Sequence, residues 1–201
     1  MIKTKIAKNT QIKKVIVIDN YDSFTYNLVH LINEIIGTDV TVRRNDQFDI
    51  EYLEEFDYIV LSPGPGLPDE AGLLKAVIKT YGSEKKIFGV CLGLQAIGEV
   101  FGGHLKNLSK VFHGMKTSIH QTEIIDPIFK GINHTFDAGR YHSWVINKND
   151  FPEELFITAL DDAGDIMAIR HKKYQVFGVQ FHPESIMTSD GKTMLTNFLN
   201  L

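Results

Sequence analysis

From Val15 to Gly103 the chain alternates short apolar runs with segments whose apolar residues recur at spacings of three and four. That alternation is the signature of an α/β domain. Val15 to Ile18 reads as a buried strand. Asp22 or Ser23 is placed to cap a following helix carrying Phe24, Leu28, Leu31, Ile32 and Ile35, and Gly37 stands where a helix ends in a left-handed residue. Val40 and Val42 alternate as a second strand, and Tyr58 to Leu61 form a third. After Ser62-Pro63-Gly64-Pro65-Gly66 comes a helix with Leu73, Leu74, Val77 and Ile78, then a strand over Ile87 to Val90 entering a helix that fades at Gly102-Gly103. The order β-α-β-β-α-β-α suffices for an open parallel sheet with right-handed crossovers.

The second half changes character. Thr117 to Ile125, Ser143 to Ile146, Leu155 to Leu160, Ile166 to Arg170 and Val176 to Phe181 read as strands with short connections, before a closing helix with Met194, Leu195 and Phe198. Helices are scarce in between, so this half reads as an antiparallel elaboration on the sheet. No Pro-, Gly- or Ser-rich linker marks a boundary, and residues 15–201 are expected to form a single domain. Residues 1–14 hold five lysines and no acid, with no apolar stretch of the secretory kind, and read as a basic, flexible arm.

Composition narrows the function classes. One cysteine, Cys91, cannot make an internal disulfide or a multi-cysteine zinc site, and it suits a reducing, cytoplasmic setting. A net charge of -4, with no basic stripe, argues against nucleic acid as a partner. No apolar run reaches the roughly 18 to 20 residues of a membrane-spanning helix.

The cysteine lies in Gly89-Val90-Cys91-Leu92-Gly93, at the expected strand-to-helix junction. This is the nucleophile-elbow spacing, in which the flanking glycines let strand and helix approach closely around a sharp, strained turn. There the sulfur would project above the sheet edge beside a helix N-terminus, whose dipole favours a thiolate. The Leu92 N–H would point into the same space as an oxyanion donor. A lone cysteine is more often a small buried hydrophobe; the two glycines at such a junction favour the nucleophile.

A thiolate needs a base, and His182-Pro183-Glu184 supplies the candidate. Proline keeps the preceding residue out of the α conformation, and in an extended segment residues two apart face the same side. His182 is then placed as the base and Glu184 as the group that orients its ring. His142, in Arg140-Tyr141-His142-Ser143-Trp144, reads equally as a site wall or as a packed residue. The remaining histidines show no metal-ligand pairing, so no metal is expected. The Ser62 to Gly66 loop is too proline-rich to cradle phosphate and reads instead as a stiff loop with fixed N–H groups at a strand's C-terminal end, where open α/β sheets bind ligands. Gln95, four residues after Cys91, shares its helix face.

With these motifs assembled, the sequence resembles the class I (triad) glutamine amidotransferases, and among them the small glutaminase component of anthranilate and para-aminobenzoate (aminodeoxychorismate) synthases. The likeness runs from about Val15 to the C-terminus through Asp19-Asn20-Tyr21-Asp22-Ser23-Phe24-Thr25, the Ser62 to Gly66 loop, Gly89 to Gln95, Arg140 to Ser143 and Gly178 to Ser185. It implies a flavodoxin-like, mostly parallel α/β fold. It also implies attack by Cys91 on the side-chain amide carbon of glutamine, with His182 and Glu184 completing the triad and the N–H groups of Gly66 and Leu92 forming the oxyanion hole. Gly64, Pro65 and Gly66, with Gln95, Ser143 and Trp144, would hold the amino-acid end of glutamine. The family uses no cofactor on this subunit; ammonia passes to a larger chorismate-binding partner that performs a Mg-dependent amination. Three departures stand out: Leu94 where many relatives have His, Trp144 where relatives often have Leu, and an altered His113-Gly114-Met115-Lys116-Thr117. Competing readings are a free-standing cysteine hydrolase or peptidase and a non-catalytic subunit that only stabilises a synthase.

Overall fold

A computed structural model describes residues 13–201. Its first half runs β1 (Val15–Asp19), α1 (Thr25–Ile36), β2 (Thr41–Arg44), β3 (Tyr58–Leu61), α2 (Leu74–Tyr81), β4 (Lys86–Val90) and α3 (Leu92–Val100). Its second half runs β5 (Leu105–Asn107), β6 (Met115–Gln121), β7 (Thr135–Arg140), β8 (Trp144–Ile146), β9 (Leu155–Asp161), β10 (Ile166–His171), β11 (Val176–Val179) and α4 (Gly191–Leu199). Of the basic arm expected over 1–14, all but Lys13 and Lys14 lies outside the described residues.

Nine strands form one sheet in the order β2-β1-β3-β4-β11-β10-β9-β6-β7, and β5 pairs with β8 in a separate ribbon. The first five strands in that order are parallel and the remaining pairings antiparallel. The antiparallel elaboration of the second half is therefore present, with one correction: β11 belongs to the parallel part, beside β4.

Strand alternation divides the core between two faces. Val15, Val17, Tyr58, Val60, Phe88, Val90, Phe177 and Val179 pack with Leu28, Val29 and Ile32 of α1 and Met194, Leu195 and Phe198 of α4. Ile16, Ile18, Ile59, Leu61 and Ile87 point the other way, onto Leu74, Val77 and Ile78 of α2 and Leu94, Ala96 and Ile97 of α3. A strand covered on both faces has no place for polar residues, which is why these strands read as continuous apolar runs. Each fully buried Leu, Ile or Phe contributes roughly 1.5–3 kcal/mol relative to exposure.

Local departures have local causes. Helix α1 begins one or two residues later than a cap at Ser23 or Asp22 implies, because Asp22 Oδ1 accepts from Phe24 N at 2.7 Å and holds a turn ahead of the helix. Gly37 does end it, at φ 73°, with its N–H on Asn33 O. Strand β6 starts earlier than Thr117 and stops at Gln121, where Thr122 Oγ1 accepts from Ile124 N and turns the chain. The final strand ends at Val179 rather than Phe181. Strands β5 and β7 were not expected at all.

Candidate active site

Cys91 joins β4 to α3 with φ 51° and ψ −99°, a region that side-chain-bearing residues avoid at a cost of about 1–3 kcal/mol. Its own backbone bonds hold it there: Cys91 N donates to Val179 O at 2.8 Å, and Cys91 O accepts from Gln95 N at 3.0 Å. The flanking glycines are required by space. A Cβ on Gly89 would sit 2.5 Å from Gly93 C, and one on Gly93 would sit 2.7 Å from Leu61 O. Gly89 thus lets β4 touch the start of α3, and Gly93 lets α3 touch Leu61 of β3.

His182 and Glu184 follow β11, the strand beside β4. His182 N donates to Gly139 O at 2.9 Å, and Thr188 Oγ1 donates to His182 O at 2.7 Å, which fixes the segment. His182 Nδ1 lies 2.7 Å from Glu184 Oε1, and both side chains are sealed from solvent. The rings of Tyr141 and Phe24 pack edge-on around the imidazole, at 4.9 and 5.7 Å between centroids. Burial opposes a charged His182, but the nearby Cys91 sulfur and the Glu184 carboxylate outweigh it and push the pKa up to about 10. Its Nε2 is buried without a protein hydrogen bond. Cys91 and His182 share the wall of one cleft with Phe24, Pro63, Gly64, Pro65 and Tyr141.

On the other side of Gly64 and Pro65 lies a second cleft of about 300 Å³ that also reaches Cys91. Its wall includes Gly64, Pro65, Gly66, Gln95, Ser143 and Trp144, so all six residues expected to hold glutamine face one space. Gly64 fits only because it has no side chain; a Cβ there would lie 2.6 Å from both Asn20 Cβ and Leu92 Cδ2. Gly66 adopts φ 73°. Leu92 is the first residue of α3, so its N–H is among the donors a helix leaves unpaired at its start. Trp144 enters through its backbone, its carbonyl accepting from Gln95 Nε2 at 3.0 Å. Among the described residues, no group of three or more His, Cys, Asp or Glu is placed to hold a metal ion.

A strained cysteine at a strand-to-helix elbow, beside a buried histidine–carboxylate pair, is joined by a sequence match that covers nearly the whole chain. The profile of glutamine amidotransferase class-I matches residues 16–201. The chain belongs to the class I glutamine amidotransferases. The aminodeoxychorismate/anthranilate synthase component 2 of Bacillus subtilis is 46% identical over 187 residues, covering 92% of this chain and 95% of that one. The anthranilate synthase component 2 of Pseudomonas aeruginosa is 44% identical over 191 residues, covering 92% and 94%. The bifunctional protein TrpGD of Thermotoga maritima is 46% identical over 195 residues; the match takes 94% of this chain but spans only 32% of that longer protein. Among solved structures, a Thermoplasma acidophilum protein named as part of a GMP synthase aligns with a TM-score of 0.84 and 25% identity, covering 94% of each chain.

The candidate site of this amidotransferase also contains residues that sequence reasoning did not single out. Gln180, fully buried, donates from Nε2 to Cys91 Sγ at 3.4 Å and accepts on Oε1 from Gln95 Nε2 at 3.2 Å. Its signal was available, since it lies two residues before His182 at the end of a strand. Asn20 pins the proline-rich loop, donating from Nδ2 to Ser62 O at 2.7 Å and from its backbone to Ser62 Oγ at 2.8 Å. Leu94 proves to be core: it is fully buried, and a Cβ on Gly178 of β11 would meet it at 3.0 Å. His113 lines both clefts of the amidotransferase.

Proposed function

We propose that this amidotransferase, as a single domain over 15–201, hydrolyses the side-chain amide of L-glutamine and passes the ammonia to a chorismate-binding synthase subunit. The observation that carries the reading is Cys91, strained at its elbow, sharing a cleft with His182, whose ring is paired with the buried Glu184. In the first half-reaction the Cys91 sulfur attacks the amide carbon, and the carbonyl oxygen takes up negative charge between the N–H groups of Gly66 and Leu92. His182 gives its proton to the departing nitrogen, the C–N bond breaks, and ammonia leaves a thioester on Cys91. Water then adds to the thioester carbon while His182 accepts its proton; the C–S bond breaks and glutamate departs. Glu184 keeps the His182 ring oriented and its charge balanced through both steps.

The second cleft supports the amino-acid end of glutamine, with Gly64, Pro65, Gly66, Gln95, Ser143 and Trp144 as the contacts. This chain needs no cofactor for that chemistry; the Mg ion belongs to the partner's amination of chorismate, which yields anthranilate, 4-amino-4-deoxychorismate or both. A partner suits ammonia on chemical grounds, because in bulk water it becomes ammonium and loses its nucleophilic lone pair. The rim carries exposed apolar side chains, Tyr21 and Val111 along the clefts and Ile186, fully exposed, two residues after Glu184. Two of the relatives named above are components 2 of such synthases. A free thiol at the site fits the cytoplasm, and no helix among the described residues is long and apolar enough to cross a membrane.

The test is to purify the chain with each candidate chorismate-binding subunit and follow both glutamate release and the aminated product. Cys91→Ser should abolish glutamine-dependent product while leaving the ammonia-dependent reaction intact. Full glutamine-dependent activity in Cys91→Ser would sink the mechanism, and neither aminated product from either complex would sink the pathway.

A further inference from the structure

We infer that the buried Arg140 and His142 are positioning residues that decide which end of the Gln95 carboxamide faces the glutamine cleft, and thereby its selectivity for an amino-acid substrate. The inference rests on the reading of that cleft given above.

The chain of contacts starts at a buried ion pair. Arg140 is 1% exposed, and its Nη1 donates to Asp161 Oδ2 at 2.6 Å. Asp161 is itself held by the backbone N–H groups of Ala163 and Asp165, which donate to Oδ1 at 3.0 and 2.8 Å. Arg140 Nε then meets His142 Nε2 at 3.0 Å. A guanidinium has only donors, so His142 Nε2 must accept, and the one proton of the neutral ring resides on Nδ1. That proton points at Trp144 O, 3.0 Å away. Burial, the Arg140 charge and, more weakly, His182 push the His142 pKa down to about 3, so the ring keeps this tautomer. Phe112 clamps both residues, stacking on His142 at 5.4 Å with the Arg140 guanidinium 3.6 Å from its ring centroid.

Trp144 O is the shared acceptor. It receives His142 Nδ1 and also Gln95 Nε2, which is further directed at Gln180 Oε1. With its nitrogen turned inward, Gln95 has no protein partner for Oε1 among the described residues, and Gln95 lines the cleft. A carboxamide oxygen facing the cleft receives an ammonium group; a flipped amide would present two N–H donors and reject it. Orientation of Gln95 is therefore a specificity device, and His142 holds the carbonyl that enforces it.

Two substitutions separate the links. His142→Asn places an amide nitrogen near the Nδ1 position and keeps the donor to Trp144 O. His142→Gln places its oxygen near the Nε2 position, satisfying Arg140 but leaving Trp144 O without that donor. The readout is the rate at which Cys91 is labelled by two reagents, in the chain alone and with a synthase subunit bound: a chloroketone analogue of glutamine, bearing ammonium and carboxylate, and iodoacetamide, bearing neither. Loss of one hydrogen bond predicts about a tenfold slower chloroketone reaction in His142→Gln, with the iodoacetamide rate unchanged and His142→Asn close to wild type. Equal chloroketone rates in the two variants, or a parallel fall with both reagents, would overturn the inference. Should either variant fail to fold, ¹⁵N NMR of the unaltered chain decides: the expected result is a neutral Nδ1–H ring from pH 5 to 8, and an Nε2–H ring or protonation near pH 6.5 would overturn it. If the unaltered protein reacts with iodoacetamide but not with the chloroketone, the glutamine reading fails instead.

Discussion

Glu184 Oε1 lies 2.7 Å from His182 Nδ1 in a pocket closed to solvent, so the carboxylate fixes both the ring's rotation and the nitrogen that carries its proton. In Glu184→Gln the amide nitrogen can donate to Nδ1, which moves the ring proton to Nε2 and removes the base that faces the sulfur. Glutamate release should fall by about 10²–10⁴-fold with folding retained. A rate within about threefold of wild type, measured with the synthase subunit bound, would mean that the pair is not part of the chemistry.

The same pair predicts how stability changes with pH. Burial works against a charged His182, but Cys91 and Glu184 prevail and raise its pKa from 6.5 to about 10. Below pH 6.5 the ring is protonated in the folded and unfolded chain alike, and its stabilising contribution is fully present. As pH rises from 6.5 towards 10 the unfolded chain releases this proton first, and the contribution is lost. Urea midpoints should therefore fall across that window, and fall less in Glu184→Gln, where one cause of the raised pKa is gone. Parallel curves for the two proteins would contradict the assignment.

How much of this was legible in the sequence depended on whether local pattern and final environment agree. Val15–Ile18 and Tyr58–Leu61 were readable because both faces of each strand are covered, and only Asp19, at the strand's end, breaks the apolar run. Thr135–Arg140 was not, because Asp137, Gly139 and Arg140 interrupt its apolar residues, and its pairing with Met115–Gln121 supplies the stability that its own pattern lacks. The parallel pairing of Val176–Val179 with Lys86–Val90 depends on a partner far away in sequence. Cys91, His182 and Glu184 were readable because steric rules act on neighbours: glycines at two-residue flanks, and proline between base and carboxylate. Arg140 was opaque for the opposite reason, since nothing adjacent signals that a guanidinium will be buried against Asp161.

The elbow itself offers a structural test. A methyl group on Gly93 would lie 2.7 Å from Leu61 O and 2.8 Å from Leu61 Cβ, and neither can retreat, because Leu61 is paired in the sheet. Gly93→Ala should cost about 1–3 kcal/mol, the range for overpacking a core, and should slow Cys91 labelling by displacing the turn. By contrast, Gly131→Ala meets no atom within 4 Å, and its cost should come only from its φ of 80°. Denaturant midpoints compare the two; equal losses would show that close packing at the elbow is not what demands glycine.

Gln180 provides the sharpest test of what surrounds the sulfur. Its Nε2 is a hydrogen-bond donor to Cys91 Sγ at 3.4 Å in a buried setting, and one such bond contributes about 0.5–1.5 kcal/mol. Gln180→Met keeps side-chain length and apolar volume while removing that donor, so the sulfur loses a stabilising contact. Iodoacetamide should then label Cys91 about tenfold more slowly at neutral pH. This outcome differs from that expected for His142→Gln, which slows the chloroketone and leaves the iodoacetamide rate unchanged. The contrast separates a residue that acts on the sulfur from one that acts on the substrate's far end. If Gln180→Met leaves iodoacetamide labelling unchanged, the Nε2–Sγ contact is incidental, and Gln180 serves only as the acceptor that helps turn Gln95 inward.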